Sequence, residues 1–152
     1  MNLRTSRAGG LAAALLILPL CSFGAAAQLA VSSNDHKAVL VNGVNTVPPN
    51  PADDTVTLID LGASPPKVVG ELKAPSSVVG PPQNVAIAPD ESIALVAANT
   101  KLDPADPKKT VPDNRLTVID LKASPPAVIA TIETDPGPAG ISINRAGTLA
   151  LT

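Results

Sequence analysis

One phrase of this chain occurs twice. The stretch 116–121 reads LTVIDL and is followed by KASPPAVI, while 56–61 reads VTLIDL and is followed by GASPPKVV. A repeat this close predicts a fold built from supersecondary units that bury their apolar faces against one another. A third unit begins at Gly140, with the sequence GISIN.

Each unit contains short apolar runs bounded by turn-forming residues, which is the pattern of β-strands. The 17 prolines and 10 glycines of the chain argue against long helices. The spacing aligns Leu29 with Val85, and Asn84 with Gly140. We therefore predict an all-β fold of four-stranded antiparallel units, with about two and a half units present. The expected units are 28–73, 84–133 and 140–152, with strands at 29–32, 38–41, 55–60 and 67–72, then at 84–88, 93–98, 115–120 and 127–133.

The first 27 residues have the composition of a secretory signal peptide. Two arginines precede an apolar run at 11–20, and three alanines at 25–27 predict cleavage before Gln28. The apolar run is short for a membrane span. A retained anchor is one alternative. A lipoprotein signal that ends at Cys21 is another alternative. Leu20 disfavours it, because such signals have a small residue at the position before the cysteine. We expect a periplasmic or secreted protein with no stable membrane span after cleavage.

The remaining residues exclude several classes of function. The only Cys, Met and Phe of the chain all lie in its first 27 residues, and the chain has no Trp or Tyr. Thiol chemistry, disulfides and cysteine-bound metals are therefore excluded from residues 28–152. A net charge of −2 and the lack of aromatic stacking platforms argue against nucleic-acid binding. We expect no cofactor.

The second unit resembles a known repeat. The pattern PxxVAIAPDxxxALVAAN at 82–99, followed by LTVIDL at 116–121, resembles the YVTN-type β-propeller repeat of exported bacterial proteins. This family belongs with lactonase-like seven-bladed propellers and with propeller subunits of some periplasmic dehydrogenases. The resemblance covers residues 28–152 and implies propeller blades of four antiparallel strands. The signature Tyr is replaced by Val39 and Val96, and the usual SPDG turn survives as APDE at 88–91.

The resemblance also implies a larger molecule. Propellers of this family close with about seven blades, which at this spacing needs on the order of 350 residues. We therefore expect the sequence to be the N-terminal fragment of a longer protein.

The long connections are expected to share one end of the sheets, because antiparallel strands send alternate connections to opposite ends. These connections are 42–54, 73–83, 99–114 and 134–139, and we call their shared end the long-loop face. Loops on a rigid scaffold often carry binding function, although proline-rich loops can also merely cap the fold. The candidate binding residues on this face are Asn45, Asp54, Lys101, Asp103, Asp113 and Asn114.

Carboxylates in these loops could in principle hold a cation. The stretch 103–107 reads DPADP, however, and lacks the ligand spacing and turn glycine of a calcium loop. Asp before Pro is typical of a turn, so we expect no metal site. The acidic residues concerned are Asp53, Asp54, Asp103, Asp106 and Asp113.

The other polar residues have simple structural interpretations. His36, the only histidine, is expected in a solvated turn at the end opposite the long loops. Asp60 and Asp120 recur at the same strand end, which predicts an Asx turn in the hairpin between the third and fourth strands. Lys108 and Lys109 are expected on the solvated surface.

Two hypotheses for function follow, and whether the protein is an enzyme is left open. The first is a non-enzymatic scaffold that binds an unknown protein or small-molecule ligand through the long-loop face. The alternative is a lactonase-like hydrolase or a periplasmic quinoprotein-type component, with its active site mostly in later sequence. The repeat motif carries no catalytic residues, so we favour the scaffold and assign no catalytic or cofactor-binding residue.

Overall fold

The computed structural model describes residues 28–80 and 83–152, so the predicted signal peptide lies outside the described residues. Within them the fold is all-β, with eleven strands and no helix, as the sequence predicts. The strands are β1 Leu29–Asn34, β2 Val39–Val41, β3 Val44–Thr46, β4 Thr55–Asp60, β5 Lys67–Lys73, β6 Val85–Ile87, β7 Ile93–Leu102, β8 Thr110–Asp120, β9 Ala127–Glu133, β10 Ser142–Ile143 and β11 Ala150–Leu151.

The strands form two sheets and two hairpins, with antiparallel pairing throughout. The first sheet has the order β1-β4-β5, and the second sheet has the order β6-β7-β8-β9. The hairpins are β2-β3 and β10-β11. The prediction of four antiparallel strands is therefore confirmed for the second unit. It is wrong for the first unit, whose sheet has three.

The alignment of Leu29 with Val85 is wrong. Leu29 pairs with Asp60 in the first sheet, and the residue that pairs with the equivalent Asp120 is Ile93. One hydrogen bond repeats in the same way: Leu61 N–H donates to the Gln28 carbonyl, and Leu121 N–H donates to that of Ser92. Strand β1 is thus the counterpart of β7, and the first sheet contains no counterpart of β6.

The expected second strand of the first unit, at 38–41, does not join the sheet. Its residues Val39–Val41 form β2, which pairs with β3 inside the expected loop 42–54. The turn between them is Asn42-Gly43, and both residues have positive φ values, 50° and 80°. Such a two-residue turn matches the twist of a hairpin and favours Asn-Gly. The hairpin closes locally, and all six of its strand residues are exposed.

The expected loop 99–114 is mostly strand. Pairing of β7 with β8 continues from Ala98 opposite Arg115 to Leu102 opposite Thr110, so only 103–109 remains a connection. The register shifts between Ala98 and Thr100, which places an extra residue on β8 near Asp113. We call the paired ends of β7 and β8 beyond this point the ribbon. A bulge of this kind bends the ribbon and changes the direction of side chains at the margin of the sheet.

The hairpin turns confirm the predicted Asx role of Asp60 and Asp120. The Oδ1 atom of Asp60 accepts the Gly62 N–H at 2.8 Å, and that of Asp120 accepts the Lys122 N–H at 2.8 Å. The register in each sheet also shifts at the equivalent place, after Leu58 and after Val118. The two copies of the repeated phrase therefore fold alike.

The third unit follows the predicted alignment of Gly140 with Asn84. Asn144 N–H donates to the Leu149 carbonyl, as Ala88 N–H donates to that of Ile93. The turn of each hairpin contains one residue with positive φ, Glu91 at 54° and Gly147 at 69°. Glycine adopts this conformation without the steric cost that Glu91 bears.

The hydrophobic core lies between the two sheets. Val56 and Leu58 of β4 pack against Ala94, Val96 and Ile119 of the second sheet, all of them at most 1% exposed. The opposite side of the second sheet forms a smaller cluster, in which Leu95, Ala97 and Leu116 are covered partly by Ile141 and Ile143. The second sheet is thus packed on both sides, as continuous apolar strands require.

Among residues 28–80 and 83–152, no helix has the length and apolar character needed to cross a bilayer.

Truncating the central core residue tests this packing. Ile119→Ala removes a side chain that is 0% exposed, and we expect it to lower the free energy of unfolding by about 2 to 5 kcal/mol. The matched control is Ile129→Ala on β9, which is 59% exposed and is expected to cost less than about 1 kcal/mol. Chemical denaturation measures both, and equal losses would contradict the described core.

Candidate functional site

The long connections meet at one end of the sheets. Ala74 N–H donates to the Asp54 carbonyl at 3.3 Å, and Thr134 N–H donates to the equivalent Asn114 carbonyl at 2.8 Å. The linker from β5 to β6 is attached to the ribbon, because Val78 N–H donates to the Thr100 carbonyl at 3.1 Å. This end of the described fold is the long-loop face.

A cavity of about 510 Å³ opens on this face between the first sheet and β8. We call it the loop-end pocket. Its walls combine small apolar residues with three cations and two carboxylates. The lining residues are Lys37, Pro51, Ala52, Asp53, Asp54, Lys73, Ala74, Pro75 and Arg115.

Asp54 and Lys37 form an ion pair that is largely buried. The side chain of Asp54 is 6% exposed and that of Lys37 is 18% exposed. The Oδ2 atom of Asp54 also accepts the Ser76 N–H at 2.8 Å. Lys37 reaches Asp54 because β1 pairs with β4, which brings the residues after Asn34 beside those before Thr55. The pair joins three segments of the first unit.

Asp113 and Arg115 form a second pair at the back of the pocket. The side chain of Asp113 is fully buried. Nε of Arg115 donates to both carboxylate oxygens of Asp113 at 3.0 Å, and the Asn114 N–H donates to Oδ1 at 2.8 Å. Burial alone raises the pKa of Asp113, but the hydrogen bonds from Arg115 and Asn114 and the charges of Arg115 and Lys101 hold it below its ordinary value. The same hydrogen bond raises the pKa of Arg115. Both groups are therefore charged at neutral pH.

Asp53 and Lys73 form an exposed pair at the rim of the pocket. Nζ of Lys73 donates to Oδ2 of Asp53 at 2.6 Å, and the side chains are 80% and 70% exposed. The hydrogen bond and the charge of Lys73 lower the pKa of Asp53, and raise that of Lys73 in return. Exposed pairs of this kind add little stability, so these two side chains are free to contact a ligand.

The expectation for His36 is half wrong. The residue is exposed, as predicted, but it lies at the long-loop end and not at the opposite one. Its Nδ1 atom is 2.9 Å from the Asp53 carbonyl oxygen, and its backbone N–H donates to Oδ1 of Asp54 at 3.5 Å. The cause is again the pairing of β1 with β4, which puts the C-terminal end of β1 at the long-loop face. The predicted alignment of β1 with the first strand of a unit puts that end at the opposite side.

The six sequence-predicted candidates are dispersed. Only Asp54 lines the loop-end pocket, although Asp113 supports its Arg115. Asn114 serves the backbone, since its carbonyl accepts the N–H and Oγ1 of Thr134. The others lie farther out: Asn45 on the β2-β3 hairpin, Lys101 in the β7-β8 ribbon opposite Val111, and Asp103 in the ribbon turn, where it accepts the Ala105 N–H.

Four of the five acidic residues considered for a cation site are paired with cations of the protein, and the fifth, Asp103, accepts the Ala105 N–H. Asp106 binds Lys109 in the ribbon turn at 3.2 Å, in addition to the three pairs of the pocket. In the described part of the chain, no group of three or more His, Cys, Asp or Glu residues could hold a metal ion. The carboxylates of the pocket thus balance charge instead of forming an open set of ligands.

Sequence reasoning missed the cations of the pocket: Lys37, Lys73 and Arg115. The arrangement can bind a polar ligand, because three cations and two carboxylates stand among apolar walls of proline and alanine. At its edge the Nδ1 atom of His36 is close to the Asp53 carbonyl oxygen, and the backbone N–H of His36 faces Oδ1 of Asp54. The chemistry that the pocket supports is recognition of a polar ligand.

Removing the cation of the Lys37–Asp54 pair tests whether this pair stabilises the fold. Lys37→Met leaves the Asp54 carboxylate buried with the Ser76 N–H but no counter-ion, and we expect a loss of about 3 kcal/mol in unfolding free energy. Lys108→Met is the matched control, because Lys108 is exposed in the ribbon turn and should change stability by less than about 0.5 kcal/mol. A Lys37 variant as stable as the control would contradict the pairing.

The pH dependence of stability tests Asp113. Its folded pKa is lowered, so its contribution is present above the unfolded value of about 3.9 and is lost as the pH falls through the folded value. We expect Asp113→Asn to be less stable at pH 7 and to lose less stability below about pH 4. Glu71→Gln, at an exposed carboxylate of β5, should keep the wild-type acid slope. Urea unfolding between pH 2 and 7 measures both, and parallel curves for Asp113→Asn and wild type would exclude the effect.

Comparison of the chain with protein-family models, with curated proteins and with solved structures found no match.

Proposed function

We propose that this protein is an exported β-propeller repeat protein that acts as a binding scaffold. In this proposal the two sheets are neighbouring blades, and a polar small molecule or a peptide segment of a partner protein binds in the loop-end pocket. The periplasm or the extracellular medium is its place of action, which the composition of residues 1–27 supports.

Face-to-face packing of equivalent sheets supports the propeller arrangement. The first sheet covers one side of the second, and the β10-β11 hairpin begins to cover the other. Each sheet or hairpin therefore contacts its neighbours in sequence, as stacked repeats do. Blades around a central channel are one way to continue such a stack.

The observation that carries the binding proposal is the loop-end pocket. Its volume of about 510 Å³ lies within the range of small-molecule sites. Its position between the first sheet and β8 is typical of sites formed where structural units meet. Two of its ion pairs are braced by backbone hydrogen bonds, so the charged groups are held in place before a ligand arrives. Such preorganisation reduces the entropic cost of binding.

The hydrolase alternative has no comparable support. Its active site is expected mostly in later sequence, and no observation within residues 28–80 and 83–152 favours it: the Nδ1 atom of His36 lies 2.9 Å from the Asp53 carbonyl oxygen. No second function is therefore proposed.

Titration with small organic fragments tests the proposal. The probes are neutral, carboxylate-bearing and amine-bearing fragments, added to the ¹⁵N-labelled protein and followed by amide chemical shifts. We expect the shifts that saturate to concentrate at Asp53–Thr55, Lys73–Ala74 and Arg115. Saturable shifts confined to the opposite end of the sheets would refute the binding role of the pocket, as would a library without any binder.

Variants of the rim sharpen the assignment. Asp53→Ala with Lys73→Ala removes both exposed rim groups without touching the buried pairs, and we expect a fragment that contacts the rim to bind roughly tenfold more weakly, a change of about 1.4 kcal/mol. Lys122→Ala removes an exposed lysine at the opposite end and should leave the affinity unchanged.

A further inference from the structure

The acids and the cations of the loop-end pocket lie at different depths. The side chains of Asp54 and Asp113 are buried, whereas that of Arg115 is partly exposed and that of Lys73 is exposed. Among the described residues that line the pocket, Asp53 at the rim is the one exposed acid. The buried carboxylates thus hold cations in place, and the cations are the groups that stand toward a ligand.

Asp54 has little capacity left for a ligand. Its Oδ1 atom accepts the backbone N–H of His36 at 3.5 Å, and its Oδ2 atom accepts the Ser76 N–H at 2.8 Å and Nζ of Lys37. A carboxylate has about four acceptor positions, and these three bonds take most of them. An amine in the pocket would meet a carboxylate that is already satisfied, so the buried acid does not favour a cationic ligand.

Arg115 has one edge that is taken and one that is open. Its Nε donates to both oxygens of Asp113 at 3.0 Å, and its Nη2 donates to Oδ2, while no described residue accepts a hydrogen bond from Nη1. The second edge of the planar guanidinium, formed by Nη1 and the outer N–H of Nη2, therefore remains. Because Asp113 is buried and Arg115 lines the pocket, this open edge is the part that a ligand can reach. Two parallel N–H groups match the two oxygens of a carboxylate.

The charge balance of the pocket favours a ligand with a single negative charge. The three cations of the lining are matched by three carboxylates, of which two belong to the lining and the third is Asp113 behind Arg115. A carboxylate ligand leaves one unbalanced charge among these groups, whereas a phosphate, which carries up to two charges, leaves more. Unbalanced charge is costly in a site that is partly shielded from water, so a monoanion fits better.

We propose that the loop-end pocket binds a monocarboxylate with a short aliphatic substituent. The carboxylate of this ligand binds the open edge of Arg115, and Lys73 at the rim exchanges Asp53 for one of the ligand oxygens. This exchange costs little, because an exposed ion pair contributes little stability. The aliphatic substituent packs against the apolar walls of the pocket. These walls are Pro51, Ala52, Ala74 and Pro75.

A matched set of probes tests the ligand class. Pentanoate, the neutral pentanamide and the cationic pentylamine share one alkyl chain and differ in the polar group, and inorganic phosphate is the more highly charged oxyanion. Each is titrated at neutral pH into the ¹⁵N-labelled full chain, in the form to which the host cell processes it. We expect pentanoate to bind about tenfold more tightly than each of the other three probes, and to shift the Nε–H resonance of Arg115.

Substitution of Arg115 tests the open edge itself. Arg115→Lys keeps a cation beside Asp113 but lacks the second pair of fixed N–H groups, and we expect it to bind pentanoate roughly tenfold more weakly. Lys122→Gln is the matched control, because it removes one positive charge from an exposed residue at the opposite end and should leave the affinity unchanged. Circular dichroism establishes that both variants are folded.

The outcomes separate this inference from the proposed binding function on which it rests. Binding of pentanamide or pentylamine in the pocket as tightly as pentanoate would overturn the carboxylate inference and leave the binding function standing. Tighter binding of phosphate, or a folded Arg115→Lys protein with the wild-type affinity for pentanoate, would overturn it as well. If none of the four probes bound in the pocket, the inference would fall, and the fragment library would decide the binding function. If Arg115→Lys did not fold, the titrations of the wild type alone would decide.

Discussion

The contact between the first and second sheets is the interaction on which the rest of the structure depends. Its hydrophobic cluster is aliphatic, with Val56 and Leu58 packed together with Ala94 and Val96, and Glu91 adds hydrogen bonds from the backbone N–H groups of Gln28 and Leu29. Without aromatic rings each contact buries little area, and the stability comes from many small contributions. The same contact forms the loop-end pocket, because it brings Arg115 of the second sheet beside Lys37 and its partner in the first.

The repeated phrase predicted its own structure well. Strand β4, the Asx turns at Asp60 and Asp120, and the hairpin of the third unit lie where the pattern placed them, whereas β8 begins at Thr110, five residues before the predicted strand. The first unit was harder, because Leu29–Asn34 and Val85–Ile87 are both short aliphatic runs, and local alternation cannot say which partner a strand will choose. One available signal was overlooked: Asn42-Gly43 between two apolar runs is a strong hairpin signature, and it would have removed residues 38–41 from the sheet.

The ion pairs of the pocket could be predicted only where the two charged residues are close in sequence. Asp113 and Arg115 are two positions apart at a bulge, and a buried carboxylate requires a cation nearby, so this pair could have been found. Asp54 finds Lys37 only after β1 has paired with β4. That long-range pairing was misassigned, so the cation and the position of His36 were both missed. The carboxylates of the pocket could be predicted from the loop sequences, but the cations that neutralise them are brought there by the tertiary structure.

Two equivalent threonines of the repeated phrase, Thr57 and Thr117, have different surroundings in the two sheets. Thr57 accepts Nδ2 of Asn34 at 2.9 Å, whereas the Oγ1 atom of the equivalent Thr117 is buried without a partner. The reason is that Ala98 stands in the second sheet where the first has Asn34, and an unmatched buried hydroxyl costs about 1 to 3 kcal/mol. The second sheet therefore buries this hydroxyl without a hydrogen-bond partner among the described residues. The repeated phrase thus keeps its backbone in both sheets, while the strand beside it decides whether the threonine hydroxyl has a hydrogen-bond partner.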